Sequence, residues 1–397
     1  MAPVTCPFCY YKQDSAQLHH VCTGHAAPGM QPCTEIRDDE RQQRTGYAMP
    51  AMPTFPPGTR IDAAGRAYCP ECGASCGERA CTACHTPLPR ELLEGHSPLL
   101  GMVGRTSSGK TVYLTVLNQQ LRLEAARRFD AEVHLRGDHQ AGMHSVHEWL
   151  DQYEKALFDR KELLPPTPPG RRVPLVLQMR QKVERRWRRA QLVSTVLSFC
   201  DVAGEDLLTQ PRAMRQPYLA AADGLIVLLD AWQIPKVRAR QPVPPGQEEL
   251  RPLVQSVLSI VTDTLRDART PQKRGRLTIP MAVVVGKFDV VERVLPVNHY
   301  LRTAEPSDGR GYDETFGSNV SEHLRKFLDS HGAEDVDRHM ALNYTTYRYF
   351  AVSSLGAAPV QANGRQEVDA GGVRPRHVTQ PLLWLLYRHN IIRRTGR

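Results

Sequence analysis

No run in this 397-residue chain is apolar for long enough to cross a bilayer. The best candidate, LAAADGLIVLLDAW, is interrupted by Asp223 and Asp230. The first residues, MAPVTCPFCYYK, have neither a basic n-region nor an apolar h-region, so no secretory leader is expected. The location expected by default is cytoplasmic, with no membrane partner. Cysteine is nearly missing from the larger part of the chain: nine of the ten lie within residues 6–84, and only Cys200 lies beyond them. In a reducing compartment, C-x-x-C spacings in that region point to metal binding rather than to disulfides. No repeat of an α/β unit is visible.

What is present is ordinary for a soluble globular protein: 41% hydrophobic and 23% charged residues, over a length that suits two or three units. The net charge of +9 is unevenly spread. Residues 1–96 hold 8 Lys and Arg against 10 Asp and Glu, a balance of −2, so the later residues carry +11. Part of that excess sits in KVERRWRR (182–189), which reads as a solvated hairpin or strand edge, with a nucleic-acid patch as the alternative.

Residues 1–37 hold a first cysteine cluster, 38–65 read as a linker, and 66–90 hold a second cluster. From about residue 97 to the end, apolar strands alternate with amphipathic helices. Strand candidates are 98–104, 173–179, 193–201, 224–230, 279–286 and 347–354. Helical segments are 109–128, 144–161, 211–222, 247–268, 319–331 and 380–392. Continuous apolar strands separated by helices imply an α/β fold with a mostly parallel central sheet covered by helices on both faces. The stretches PPTPPGRR, IPKVRARQPVPPG and GAAPVQANGRQEVDAGGVRP read as surface insertions.

One motif has a direct physical reading. GRTSSGKT (104–111) matches G-x-x-x-x-G-K-[ST] between an apolar strand and a helix. Gly104, Arg105, Thr106, Ser107, Ser108 and Gly109 form a loop whose backbone N–H groups can turn inward onto a phosphate. The helix N-terminus adds partial positive charge. Lys110 can reach the β- and γ-phosphates, and the Thr111 hydroxyl can ligate Mg²⁺.

Three further strand ends suggest whose phosphate this is. LSFCDVAGED offers Asp201 to hold Mg²⁺ through water and the Gly204 N–H to meet the γ-phosphate. IPMAVVVGKFDV ends in Gly286-Lys287-Phe288-Asp289, similar to the N/T-K-x-D guanine motif, in which the aspartate accepts from guanine N1 and N2 and the lysine stem packs on the ring. Gly286 departs from the usual Asn or Thr and loses a tethering side chain. FAVSSLG ends the last strand with Ser353 and Ser354, similar to the S-A-K loop whose backbone contacts guanine O6.

In this order the motifs resemble P-loop GTPases of the translation-factor/Ras-like class. Within that class the chain resembles the bacterial double-GTPase family, in its zinc-ribbon-bearing member. The resemblance covers the CPFC start, CPEC…CTAC, GRTSSGKT, DVAGED, GKFD, SSLG and the closing QPLLWLLY helix. It implies a GTPase acting beside a second GTPase or an effector in a multi-protein bacterial conflict or signalling system.

The switch parts are open. Thr167, in LPPTPPGRRVPLVL, stands where a GTPase places the threonine that binds Mg²⁺ and γ-phosphate, or it is a proline-loop threonine with no ligand. Lys110 and Asp201 are 91 residues apart, which an inserted helical segment at 144–161 would fill. Glu205 occupies the place of a water-orienting glutamine, so intrinsic hydrolysis is expected to be slow without a partner. Arg105, Arg171 and Arg172 are candidates for a finger in cis.

For the cysteines, Cys69, Cys72, Cys81 and Cys84 read as one Cys₄ zinc site, each C-x-x-C knuckle presenting two thiolates. Cys6, Cys9, Cys22 and Cys33 read as a second, with His25, His19 or His20 as alternative ligands. Cys76 is a spare thiol, and Cys200 a core residue. Zinc is expected to be structural, because such short segments cannot bury a core without it. Ribbons bind protein or nucleic acid, and the −2 balance favours protein. The expected function is a GTP-binding and GTP-hydrolysing switch that takes Mg²⁺ and two structural Zn²⁺. Rival readings are a P-loop ATPase and a nucleotide-binding scaffold without turnover.

Overall fold

The structure, a computed structural model, describes residues 3–94, 98–105, 107–129, 131–136, 146–163, 175–185, 188–199, 217–240, 253–269, 275–306, 311–362 and 365–395. The chain divides into two compact units. One comprises Met1–Leu99, His134–Trp149 and Arg171–Cys200; the other comprises Leu100–Val133, Leu150–Gly170 and Asp201–Arg397.

In the first unit, short strands carry the cysteine-rich residues. Pro3–Thr5 pairs with Lys12–Asp14, and Ala67–Tyr68 with Ser75–Cys76, both antiparallel. A four-stranded antiparallel sheet runs in the order Thr54–Phe55, His19–Val21, Arg79–Ala80, Pro87–Leu88. Strands from residues 1–37 and 66–90 are therefore neighbours in one sheet, and the two segments fold together rather than as separate ribbons. The span 38–65 is folded as well, where the sequence suggested a linker. It contains the helix Asp39–Thr45, whose first turn is capped by the Asp38 carboxylate accepting from the Arg41 N–H at 2.9 Å. Gly46 ends it in the left-handed conformation, at φ +83°. Tyr47 and Phe55 from this span are buried.

The same unit holds a long antiparallel hairpin, Leu175–Arg185 with Arg188–Phe199, paired from Leu175↔Phe199 to Arg185↔Arg188 with a register shift between Val183 and Arg185. Only two residues separate its strands, which leaves no room for the crossover a parallel pair requires. KVERRWRR straddles the closed end of this hairpin. A strand at Ala131–Arg136 was not foreseen. The hairpin shares a core with the cysteine-rich residues: Val176 and Val196 pack with Val4, Phe8, Leu18, Tyr47 and Leu88. The Ser198 hydroxyl donates to the Pro7 carbonyl at 2.7 Å.

The second unit is built on a parallel four-stranded sheet in the order Tyr347–Ala351, Met281–Gly286, Gly224–Asp230, Leu100–Gly104. Three of these strands, Leu100–Gly104, Gly224–Asp230 and Met281–Gly286, are buried at every position, so their unbroken apolar runs are those of a covered sheet. Helices Lys110–Phe129, Ser259–Ala268, Glu314–Ser330, Glu334–Asn343 and Gln380–Arg388 surround it. The fold class is the α/β arrangement expected. Helix Glu314–Ser330 begins earlier than its apolar periodicity suggests because Asp313 caps it, accepting from the Phe316 N–H at 2.9 Å. Helix Gln380–Arg388 buries Leu382, Leu383, Trp384, Leu385 and Leu386 and packs on the two central strands. Each such side chain contributes roughly 1.5–3 kcal/mol of burial. Because all four strands are parallel, their C-terminal ends open on one edge of the sheet, the edge where ligands bind in open α/β sheets.

Candidate functional site

The phosphate loop leaves the first of these strand ends. A Cβ at Gly104 would sit 2.8 Å from the Leu228 carbonyl oxygen and 2.8 Å from Ser108 Oγ, so only glycine fits there. Ser107 and Gly109 take left-handed conformations, φ +63° and +91°, and the helix starts at Lys110. The loop is thus wound tightly ahead of a helix N-terminus. Lys110 is buried, and its ammonium donates to the Gly104 carbonyl at 2.8 Å and the Arg105 carbonyl at 2.9 Å. The buried Ser108 hydroxyl and the Arg105 Nη1 have no hydrogen-bond partner among the described residues. A loop with unmet donors beside a buried cation suits an anion. Thr111 opens the second position of the helix.

The other strand ends converge on the same edge. Lys287, directly after the Met281–Gly286 strand, adopts φ +53°. Its ammonium donates to the Ser107 carbonyl at 2.8 Å and forms an ion pair with Asp230 at 2.7 Å. Asp289 is buried and accepts from the Ser353 hydroxyl at 2.6 Å. Ser353 Oγ in turn accepts from the Gly356 N–H at 2.9 Å, and the Phe288 N–H donates to the Val352 carbonyl at 3.0 Å. Ser354 lies half-buried in the same bend. The structure therefore brings Gly104, Arg105, Ser107, Ser108, Gly109, Lys110, Thr111, Lys287, Asp289, Ser353 and Ser354 to one edge of one sheet. Thr106, Thr167, Arg171, Arg172, Cys200, Asp201, Gly204 and Glu205 lie outside the described residues.

Two residues escaped the sequence reading. Asp230 is one; a charge ending an otherwise apolar strand was the available signal. Arg376 is the other. Its backbone bridges Ser353 in both directions, at 2.8 and 3.2 Å, and its guanidinium pairs with Glu292 at the end of the helix that contains Asp289. Arg376 braces the segments that hold Asp289 and Ser353, and nothing in its local sequence announces this.

The cysteines form two groups of four, buried except for the half-buried Cys33, but they divide differently from the expectation. Cys6 and Cys9 meet Cys81 and Cys84, and Cys22 and Cys33 meet Cys69 and Cys72; within each group all four sulfurs lie within 4.8 Å of one another. The cause is the pairing of His19–Val21 with Arg79–Ala80, which draws the first and last knuckles together and leaves the middle cysteines to each other. Neither His19, His20 nor His25 belongs to a group. Cys76 also stays outside, its thiol donating to the Ala74 carbonyl at 3.2 Å.

Each C-x-x-C knuckle is followed by a left-handed residue: Tyr10 at φ +64°, Gly73 at +67° and His85 at +54°. The Sγ–Sγ separations of 3.7 Å (Cys6–Cys84), 3.6 Å (Cys9–Cys81), 3.4 Å (Cys22–Cys72) and 3.8 Å (Cys33–Cys69) match the edge of a ZnS₄ tetrahedron. With Zn–S bonds near 2.3 Å that edge is about 3.8 Å. Burial pushes the Cys6 thiol up, while hydrogen bonds from Cys6, Cys84 and Cys9 hold Cys81 down as the thiolate. Four crowded thiols cannot all ionise unless a cation neutralises them. Gln13 locks the first group: its amide donates to Cys81 Sγ at 3.2 Å and its carbonyl accepts from the Thr82 N–H at 2.9 Å. The donor sets fit zinc, and metal analysis of purified protein should return about two zinc ions per chain. One ion or none, in protein prepared without chelator, would remove one group or both.

No family model matches this chain. A protein of Mycolicibacterium smegmatis, SaeC, named as a candidate ESX-1 scaffolding and assembly protein, is 27% identical over 340 residues, covering 77% of this chain and 78% of SaeC. Among solved structures, the nucleotide-bound small GTPase Arl6 (BBS3) of Trypanosoma brucei aligns at 13% identity and a TM-score of 0.28, covering 74% of this chain and 98% of that one. The GTP-bound signal recognition particle receptor SRb/SRX complex of Chaetomium thermophilum aligns at 15% and 0.28, covering 66% and 94%. Scores of this size assign no fold by themselves. Among the described residues no helix is long and apolar enough to cross a membrane.

Proposed function

We propose that the chain is a GTP-binding and GTP-hydrolysing switch whose cysteine-rich unit holds two structural zinc ions and docks a protein partner. One observation carries the reading. Lys287 reaches from the base segment to the Ser107 carbonyl of the phosphate loop, while Asp289, two residues on, is held by Ser353. The loop expected to bind phosphate and the segment expected to read the base are thus joined at one edge of the sheet, which supports a nucleotide as their shared ligand. Thr111, with Asp201 and Thr167, would hold Mg²⁺, which would neutralise charge developing on the phosphates. Lys110 would leave the loop carbonyls for the β- and γ-phosphates, and Asp289 would accept from guanine N1 and N2.

The relative SaeC gives specific support to a second reading, a nucleotide-binding scaffold without turnover. Both readings predict protein partners, such as a second GTPase or an assembly component; single-turnover hydrolysis of GTP, with and without a candidate partner, separates them.

Base choice is the direct test of the shared part. The parent should bind GTP well ahead of ATP. Asp289→Asn should lose a hydrogen bond to a charged group, about 1.5–3 kcal/mol or roughly 10- to 150-fold in GTP affinity. It should gain affinity for xanthosine triphosphate, whose C2 carbonyl faces an amide donor. Equal binding of ATP and GTP by the parent would sink the guanine assignment.

A further inference from the structure

We propose that Asp230 is a positioning residue that couples base recognition to the phosphate loop by holding Lys287; this deepens the guanine-nucleotide reading and rests on it. Asp230 closes the Gly224–Asp230 strand and stands in register opposite Gly286 on the adjacent parallel strand. Gly286 has no side chain with which to restrain the residue that follows. The space beside it is taken by Leu228, whose Cδ1 would lie 2.9 Å from a Cβ at Gly286. Restraint comes instead from across the sheet. Asp230 Oδ2 pairs with the Lys287 ammonium at 2.7 Å, and Asp230 Oδ1 accepts from the Trp232 N–H at 3.0 Å.

The consequences follow from burial. The Asp230 side chain is only 8% exposed against 26% for Lys287, so the carboxylate is the fixed partner and the lysine the positioned one. A buried carboxylate requires its cation, which selects one lysine rotamer before any ligand arrives. Lys287 has a left-handed backbone, uncommon for a residue with a side chain, and the Phe288 N–H bond to the Val352 carbonyl at 3.0 Å and the ion pair both bear on that turn. In that pose the ammonium also reaches the Ser107 carbonyl, so the segment leading to Asp289 is tied to the phosphate loop. Pairing with Lys287 also neutralises a carboxylate that would otherwise repel a phosphate chain from the same edge. Asp230 touches neither base nor phosphate in this account; it acts through Lys287.

The test compares GTP with inorganic tripolyphosphate, which has no base, on the full zinc-loaded chain. Asp230→Ala should weaken GTP binding about tenfold or more, the scale of a lost charge-assisted contact, and leave tripolyphosphate within about twofold. Asp230→Asn keeps the shape and one acceptor oxygen, so it should lose about threefold or more for GTP and again spare tripolyphosphate. It decides the matter if the alanine variant does not fold. Equal losses for both ligands, or no loss for GTP in a parent that prefers GTP over ATP, would overturn the coupling role alone. A parent with no preference for GTP would instead remove the guanine reading beneath it.

Discussion

Cys81→Ser should cost the first unit its fold, whereas Cys69→Ser should cost only the part of it around the second cysteine group. The two groups are embedded in different cores. Cys6, Cys9, Cys81 and Cys84 share a buried cluster with Val176 and Val196, one from each strand of the long hairpin, and Pro7 in the first knuckle accepts from Ser198. Cys22, Cys69 and Cys72 pack with Phe55, Ala67, Ala74 and Cys76, with Cys33 and Met52 alongside, and among the described residues none from the hairpin takes part. Structural zinc supplies apparent free energies of about 10–16 kcal/mol in small modules at neutral pH. Whole domains are stable by only about 5–15 kcal/mol. Loss of the first metal therefore removes a term as large as the whole stability margin from the core in which Val176 and Val196 of the hairpin are packed. Loss of the second metal removes a comparable term from a smaller core that, among the described residues, holds none from the hairpin. Hydrogen exchange on the intact chain reads the difference: residues 175–199 should lose protection in Cys81→Ser and keep it in Cys69→Ser. Equal loss in the two variants would show that the unit is a single cooperative block.

This division was not legible in the sequence, although the eight ligands were. C-x-x-C spacing reports that a knuckle exists and that two thiolates point one way, but it does not report which knuckles meet. That choice is made by strands of two or three residues, such as His19–Val21 against Arg79–Ala80, too short to show any periodicity. The helix Asp39–Thr45 carried the right signals, an aspartate before it and a glycine after it, but the Pro- and Met-rich residues that follow masked them. In the second unit the reverse holds. Long, uniformly buried strands announce themselves, and four of the six strand candidates became the parallel sheet. The other two became the hairpin. The helix Glu334–Asn343 went unseen because it has no side-chain cap and only Val336 and Met340 are buried in it.

The same contrast runs through the candidate site. Lys110, Lys287, Asp289 and Ser353 were visible because each belongs to a short motif at a strand end. Asp230 and Arg376 were not, because their work depends on neighbours in space. Asp230 acts on a lysine 57 residues away, and Arg376 bridges to a serine that precedes it by 23. Motifs record what a ligand touches; supporting contacts are set by sheet register and loop return, which a single sequence does not display.

Lys110→Ala should abolish tight nucleotide binding while leaving the second unit folded. In the structure the ammonium lies inside its own loop on two backbone carbonyls, Gly104 at 2.8 Å and Arg105 at 2.9 Å. Those bonds hold the loop closed around a position where a phosphate group would sit, and exchange of carbonyl partners for phosphate oxygens keeps the buried cation satisfied throughout. Alanine removes both roles. In the free protein two bonds from the buried ammonium to loop carbonyls are lost, at a cost of about 1 kcal/mol each, which a domain of this size tolerates. With nucleotide, a charge-assisted contact to each of two phosphates is lost, about 1.5–3 kcal/mol apiece, or roughly 10²- to 10⁴-fold in affinity. Thermal unfolding makes both halves visible. The parent at a GTP concentration of 100 Kd gains about 2.7 kcal/mol, a rise of several degrees, while the variant at the same concentration should show no shift. Thr111→Ala provides the contrast. Its hydroxyl is assigned to the metal, so its loss of affinity should appear with Mg²⁺ and vanish with EDTA, whereas the Lys110→Ala loss should persist in both. An Lys110→Ala protein that still binds GTP at parental affinity would mean that GRTSSGKT is not the phosphate loop of this chain, whatever its spelling.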